Sequence, residues 1–304
     1  MKHLHLGASL YVPATRPDLA PIAAGERFAH VRSVIFCTED GIDPRQIGLA
    51  LQNLRDMLPH LRPTPGLLRF VRVRDHQVMA DIVAMPGAEK LDGYVVPKAT
   101  LTTLGSCLSL LPLDTHQHVM PVLETAEVFD AEEMRLMRSY LLQPDVRSRV
   151  LTLRIGGNDL FRLLGVRRSV ERTVYETVLG PVISTLVTTF RPWGIPLCAP
   201  VFEGLAQPEV LRREVEADLM HGLFGKTAVH PNQIGLIHDL YAVSQNDVDM
   251  ATRLSEEDSP AVFAMHGTMC ERAVHLEWAR ATLIRAAAFG TRGQHGFVAP
   301  ASLQ

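Results

Sequence analysis

The sequence predicts an α/β fold, a (β/α)8 TIM barrel followed by a C-terminal helical extension. Eight short apolar runs alternate with helical patterns over most of the 304 residues. The runs are solidly apolar rather than alternating, as parallel strands covered by helices are. Nearly every run is followed at once by a polar or charged residue, which would gather those charges at one end of the barrel, the end where such folds build active sites.

The elements follow in order. Leu10-Tyr11-Val12 is a strand stopped by Pro13, and Arg16-Pro17-Asp18 opens a brief helical turn. A second strand spans 31–37 and leads straight into Thr38-Glu39-Asp40-Gly41. In 44–57, Ile47, Leu51, Leu54 and Leu58 recur at helical spacing, with Pro44 suited to the first turn. The third strand, 68–73, carries Arg72 near its end; the fourth, 93–96, is followed by Pro97-Lys98, and a helix spans about 100–110. The fifth strand, 119–123, ends at Glu124, and 131–142 reads as a helix. The sixth, 150–155, meets Gly156-Gly157-Asn158-Asp159, and 173–190 reads as one helix. The seventh strand spans 196–201 with Glu203 after it, then a helix over 208–219. The eighth, 226–229, precedes His230, a helix follows over 234–241, and a last long helix spans 271–289.

This divides the chain into a barrel carrying the active site (1–245), a helical extension (246–290) and a loosely ordered tail (291–304) rich in glycine, alanine and proline.

Composition excludes several classes. A formal net charge of −3 gives no electrostatic reason to expect nucleic acid or an anionic membrane as partner. No apolar run approaches the length of a bilayer span. The first residues lack the apolar core of a signal peptide, so a cytoplasmic location is the expectation. Cys37, Cys107, Cys198 and Cys270 lie far apart without a Cys-x-x-Cys pair, which argues against a zinc site or disulfide framework. Cys37 and Cys198 read as small core residues.

The chemistry concentrates at the strand ends. Glu124 and Asp159 follow consecutive strands, and two hard oxygen ligands there suit a divalent cation such as Mg²⁺. Gly156-Gly157 would let the backbone approach closely. The planar guanidinium of Arg72 can clamp a carboxylate or an enolate. Glu39 and Asp40 would orient Arg72 or metal-bound water. Lys98 reads as a structural group or one setting substrate polarity rather than a Schiff-base nucleophile, because a metal-binding carboxylate pair makes that route redundant. His230, in a His-Pro step, reads as structural, and His3, His5, His116 and His118 receive no chemistry.

These segments resemble the HpcH/HpaI aldolase and citrate lyase β-subunit family, in order along about 260 residues. The resembling segments are Leu10-Tyr11-Val12-Pro13, Glu39-Asp40-Gly41, Val71-Arg72-Val73, Gly93-Tyr94-Val95-Val96-Pro97-Lys98, Leu123-Glu124-Thr125-Ala126 and Asn158-Asp159-Leu160. The closest match is Gly225-Lys226-Thr227-Ala228-Val229-His230-Pro231-Asn232-Gln233-Ile234, and Gly267-Thr268-Met269-Cys270-Glu271 is similar to the segment before the family's last helix. The resemblance implies a Mg²⁺-dependent carbon–carbon lyase acting on a 2-oxo acid or acyl thioester through an enolate, with Mn²⁺ as an alternative metal. It places Glu124 and Asp159 on the metal. It also places Arg72 at the substrate; the candidate catalytic residues are Arg72, Glu39 and Asp40, and the candidate substrate-binding residues are Arg72, Lys98, Gly157 and Asn158. It also implies a homotrimer or homohexamer whose late helices cross between subunits, with Glu271 as a cross-subunit residue.

Departures from the pattern are specific. Cys37 stands where the acidic motif usually begins with aspartate, Leu51-Gln52-Asn53 replaces basic residues, and Glu271 replaces a late aspartate. They put citryl-thioester cleavage in doubt and suit a divergent branch, such as the lyase-like proteins of tellurium-resistance gene neighbourhoods. The alternatives are a thioester hydrolase or malate-synthase-like condensing enzyme on the same scaffold, or a non-catalytic barrel in an assembly.

Overall fold

The structure, a computed structural model, describes residues 2–28, 30–293 and 296–298. The chain divides into two compact units between Ile234 and Gly235.

The first unit contains the eight-stranded parallel sheet that the apolar runs predict. Its strands are β1 (Ala8–Pro13), β2 (Ser33–Cys37), β3 (Leu68–Arg72), β4 (Gly93–Val96), β5 (His118–Leu123), β6 (Leu153–Ile155), β7 (Leu197–Cys198) and β8 (Lys226–Ala228). Each pairs with its neighbour in sequence, and β8 returns to β1. The ring closes where Ala199 bridges Lys226 and its N–H donates to the Gly225 carbonyl at 2.8 Å. Inward residues of several strands, Ile35, Phe70, Val95, Met120 and Cys198, form one buried cluster. This is the filled interior of a small barrel rather than a pore.

Helices link the strands: α1 (Leu19–Ala23), α2 (Ile47–Met57), α3 (His76–Val83), α4 (Leu101–Ser109), α5 (Ala131–Leu141), α6 (Pro144–Arg147), α7 (Gly157–Leu163), α8 (Leu179–Phe190) and α9 (Pro208–Met220). Side-chain caps begin several of them. Asp75 accepts from Val78 N–H, Thr100 and Thr103 form a capping box, and Asp130 accepts from the first turn of α5.

Two expected elements differ in the first unit. The span 173–190 is not one helix: a 3-10 turn at Val174–Glu176 ends at Thr177, which is extended, and α8 starts at Leu179. The Thr177 hydroxyl accepts from Leu179 N–H, so a local side-chain bond competes with the helical ladder. The seventh strand is shorter than 196–201, because Pro200 has no N–H to give to a ladder.

Across the boundary runs α10 (Asn232–Tyr241), after which the second unit continues with β9 (Val243–Ser244) and α11 (Gln245–Ser255). It then has β10 (Val262–Met265), β11 (Thr268–Glu271), α12 (Arg272–Phe289), β12 (Thr291–Gly293) and β13 (Gly296–Val298). Beside its helices the extension carries an antiparallel hairpin, formed by β10 and β11. His266 and Gly267 both hold positive φ (50° and 75°), the conformation of a two-residue hairpin turn. The hairpin, α11 and α12 share a small core of Ala251, Leu254, Cys270 and Ala279. In the tail, β12 pairs with β13 and with β9, so these residues are strands. The expectation of looseness for 294–295 and 299–304 lies outside the described residues.

Candidate active site

Strand ends of the barrel line a cavity of about 400 Å³. Its walls include Tyr11, Asp40, Arg72, Glu124, Arg154, Gly156, Gly157, Asn158, Asp159 and Thr227. The parallel register explains the gathering: every strand points the same way, so residues just past each one meet at one mouth.

Arg72, the last residue of β3, is the hinge of the charge network. One of its Nη atoms lies 2.6 Å from Glu39 Oε2 and 3.1 Å from Glu124 Oε1. Glu124 Oε1 also accepts the Lys98 main-chain N–H at 2.8 Å. Lys98 reaches that geometry with a left-handed φ of 47°.

Glu124 is almost fully buried, and burial pushes its carboxyl up to about 7, with Asp159 and Glu39 adding to the rise and Arg72 opposing it. Its Oε2 has no hydrogen-bond partner among the described residues. Asp159 uses Oδ1 to accept from Arg162 at 3.0 and 3.2 Å, and its Oδ2 is likewise without a hydrogen bond among the described residues. Two carboxylates in mutual electrostatic contact, each with one oxygen uncommitted, fit a cation that takes one or two carboxylates and keeps much of its water, as Mg²⁺ does. No group of three or more His, Cys, Asp or Glu side chains suited to a metal occurs among the described residues.

The remaining sequence-derived residues fall as follows. Glu39 is buried between Arg72 and the Lys98 ammonium, and Asp40 accepts from Lys98 at 3.1 Å. Burial works against the charge on Lys98, but these two acids outweigh it and hold its ammonium above the ordinary range. A lysine so held is a poor amine nucleophile. It is absent from the wall of the main cavity and borders a shallower recess with Asp40, Asn158, Asp159 and Arg162. Gly157 and Asn158 line the cavity, and Asn158 Nδ2 donates to Glu203 at 2.5 Å. His230 Nδ1 accepts from Asn232 N–H, a local role at the start of α10. Glu271 belongs to the second unit, at the junction of β11 and α12, where its N–H donates to His275 Nδ1.

Sequence reasoning assigned no role to Arg154 or Tyr11. Arg154 sits mid-strand in β6, and Tyr11 points into the same space from β1. The available signal was an arginine inside an otherwise apolar strand, which is costly to bury and so calls for a partner.

The family model described as C–C bond lyase of the TIM-barrel fold matches residues 1–291. A (3S)-malyl-CoA thioesterase of Cereibacter sphaeroides is 25% identical over 296 residues, covering 93% of this chain and 95% of the relative. The citrate lyase β-subunit of Escherichia coli is 29% identical over 150 residues, 47% of this chain and 48% of that protein. Among solved structures, the Mycobacterium tuberculosis protein CitE in complex with magnesium, acetoacetate and coenzyme A superposes with a TM-score of 0.68 at 23% identity, covering 93% of this chain and 99% of that one. That structural likeness shows a shared fold. With the family model spanning nearly the whole chain, the protein belongs to the carbon–carbon bond lyases of the TIM-barrel fold.

Proposed function

We propose that this lyase is Mg²⁺-dependent, that Glu124 and Asp159 hold the metal, and that the substrate is a 2-oxo acid or an acyl thioester. The observation that carries the reading is the pair of uncommitted carboxylate oxygens, on Glu124 and Asp159, beside Arg72 in one cavity. CitE solved with magnesium and acetoacetate supports the metal and the substrate class. Mn²⁺ satisfies the same oxygen donors.

A bound divalent cation supplies Lewis-acid polarisation of a carbonyl oxygen. The protein's own residues do the rest. Arg72 holds a fixed positive charge at the cavity wall, where a developing enolate oxygen would be stabilised without reorganisation. Glu39 keeps Arg72 in that orientation from behind. Asp40, Gly157 and Asn158 shape the substrate's surroundings, and Lys98 fixes Glu39 and Asp40.

The test is Mg²⁺ titration by calorimetry on the parent, Glu124→Gln and Asp159→Asn, with turnover measured on a panel of 2-oxo acids and acyl-CoA thioesters. Loss of Mg²⁺ binding in both variants and metal-dependent cleavage by the parent are expected. Equal Mg²⁺ affinity in all three proteins overturns the assignment.

A second reading has its own support, since the thioesterase relative matches almost end to end. On that reading the thioester is hydrolysed and Glu271 acts across a subunit boundary. Glu271→Gln would then stop release of free coenzyme A from a malyl thioester while sparing carbon–carbon cleavage. We also read the protein as a cytoplasmic homotrimer or homohexamer. In support, β10, β11 and α12 expose Val262, Met269, Val274 and Trp278. No helix among the described residues is long and apolar enough to cross a membrane.

A further inference from the structure

The cavity has a second cation, Arg154, for which no counter-ion occurs among the described residues. Arg154 is 3% exposed and lines the cavity from the middle of β6. Its Nη2 donates to Thr227 Oγ1 at 2.7 Å, and its Nη1 lies 3.4 Å from Ser9 Oγ and 3.9 Å from Met120 Sδ. Those three neighbours are neutral. Two guanidiniums lie over the Tyr11 ring, Arg154 at 5.7 Å and Arg72 at 5.9 Å from its centroid.

The other deeply buried cations are compensated differently. Lys226 and Arg168 both face Glu214. Arg69 and Arg149 are tied to main-chain carbonyls. Arg154 has neither an acid nor a carbonyl partner among the described residues. An arginine has five N–H donors, and three of those on Arg154 have protein acceptors. Nε–H and one Nη2–H remain, a pair that the two oxygens of a carboxylate can take together. A buried guanidinium without an anion is costly to keep, and an anionic ligand would repay that cost on binding.

We propose that Arg154, oriented by Thr227 and Ser9, is a substrate-carboxylate subsite, so that the preferred substrate is a 2-oxo acid bearing a second carboxylate. One end of such a molecule meets the Glu124–Asp159–Arg72 region, and the distal carboxylate takes Arg154. This rests on the metal-dependent 2-oxo acid reading given above. It adds the specificity: the enzyme prefers dicarboxylates to monocarboxylates, and Arg154 is the reason.

The experiment compares the binding of pyruvate and oxaloacetate at saturating Mg²⁺ by calorimetry, in the parent, Arg154→Met and Arg154→Lys. Methionine fills similar volume without charge. Lysine keeps the charge but loses the fork, which guards against a folding failure of the first variant. The parent is expected to bind oxaloacetate roughly 10- to 100-fold tighter than pyruvate, the worth of a charge-assisted hydrogen-bond pair. Arg154→Met should erase that ratio while leaving pyruvate and Mg²⁺ affinities nearly unchanged, and Arg154→Lys should reduce it. A ratio that survives both substitutions, or a parent that binds both acids equally, overturns the subsite alone. A parent that binds Mg²⁺ but neither acid overturns the 2-oxo acid reading and the subsite with it.

Discussion

Gly156 lies directly against Glu124. A Cβ on Gly156 would stand 2.2 Å from Glu124 Oε2 and 2.4 Å from Glu124 Cβ. The glycine is required for space rather than for its dihedral angles, since its φ is an ordinary −89°. The oxygen it accommodates is the one without a hydrogen bond among the described residues.

Gly156→Ala is therefore expected to displace the Glu124 carboxylate. Mg²⁺ affinity should fall by roughly 10-fold or more, as for loss of an orienting contact around a metal ligand. Stability should fall by about 1–3 kcal/mol, the usual cost of overpacking. Calorimetric Mg²⁺ titration with a denaturant melt checks both, and an alanine variant with parental Mg²⁺ affinity would show that the contact does not position the ligand.

Arg72 bridges Glu39 and Glu124 through one nitrogen, at 2.6 and 3.1 Å. A lysine at the same position reaches the acids as a point charge and cannot present the planar fork. Arg72→Lys is expected to lower kcat by roughly 100-fold, the scale of removing one preorganised electrostatic donor, with Mg²⁺ still bound. Steady-state kinetics beside metal titration separates the two effects. Undiminished kcat would remove Arg72 from the chemistry.

Behind the barrel wall, Lys226 Nζ sits 2.9 Å from Glu214 and 2.8 Å from Asp218, with all three side chains fully buried. Tyr175 donates to Asp218 at 2.6 Å, and Arg168 also pairs with Glu214. This cluster fastens β8 to α9. Burial raises the Asp218 carboxyl above its ordinary range, with Glu214 adding to the rise and Lys226 opposing it. Lys226→Met leaves two buried acids with one cation and should cost about 3–5 kcal/mol at neutral pH. The sign with pH follows. An acid whose folded pKa is raised binds more protons folded than unfolded, so stability increases as pH falls through the folded value toward the unfolded one, about 4. Removing Lys226 raises the Asp218 carboxyl further, so the variant should recover part of its loss between neutral pH and about pH 5. Chemical denaturation at both pH values measures it, and a deficit that grows on acidification would contradict this account.

Much of the fold was legible in the sequence because a (β/α)8 barrel is built from local repeats. Apolar runs marked the strands, and the polar residue after each run marked the mouth. That is why Arg72, Glu124 and Asp159 could be named before any contact was known. Features without a local signature were not legible. The hairpin of β10 and β11 turns on positive φ at His266 and Gly267, a backbone conformation that apolar periodicity does not report. The break at Thr177 depends on one hydroxyl bond.

By itself the sequence determined the order of strands, the end at which chemistry gathers and the family of the chain, since each depends on residues near one another in the chain. Only the tertiary structure decided which oxygens of Glu124 and Asp159 are uncommitted, why Gly156 must be small, and that Arg154 is a buried cation without an anionic partner among the described residues. Arg154 meets Ser9 across 145 residues and Thr227 across 73. Such a contact exists only once the ring has closed at Ala199 and Lys226 and brought β6, β8 and β1 around one interior.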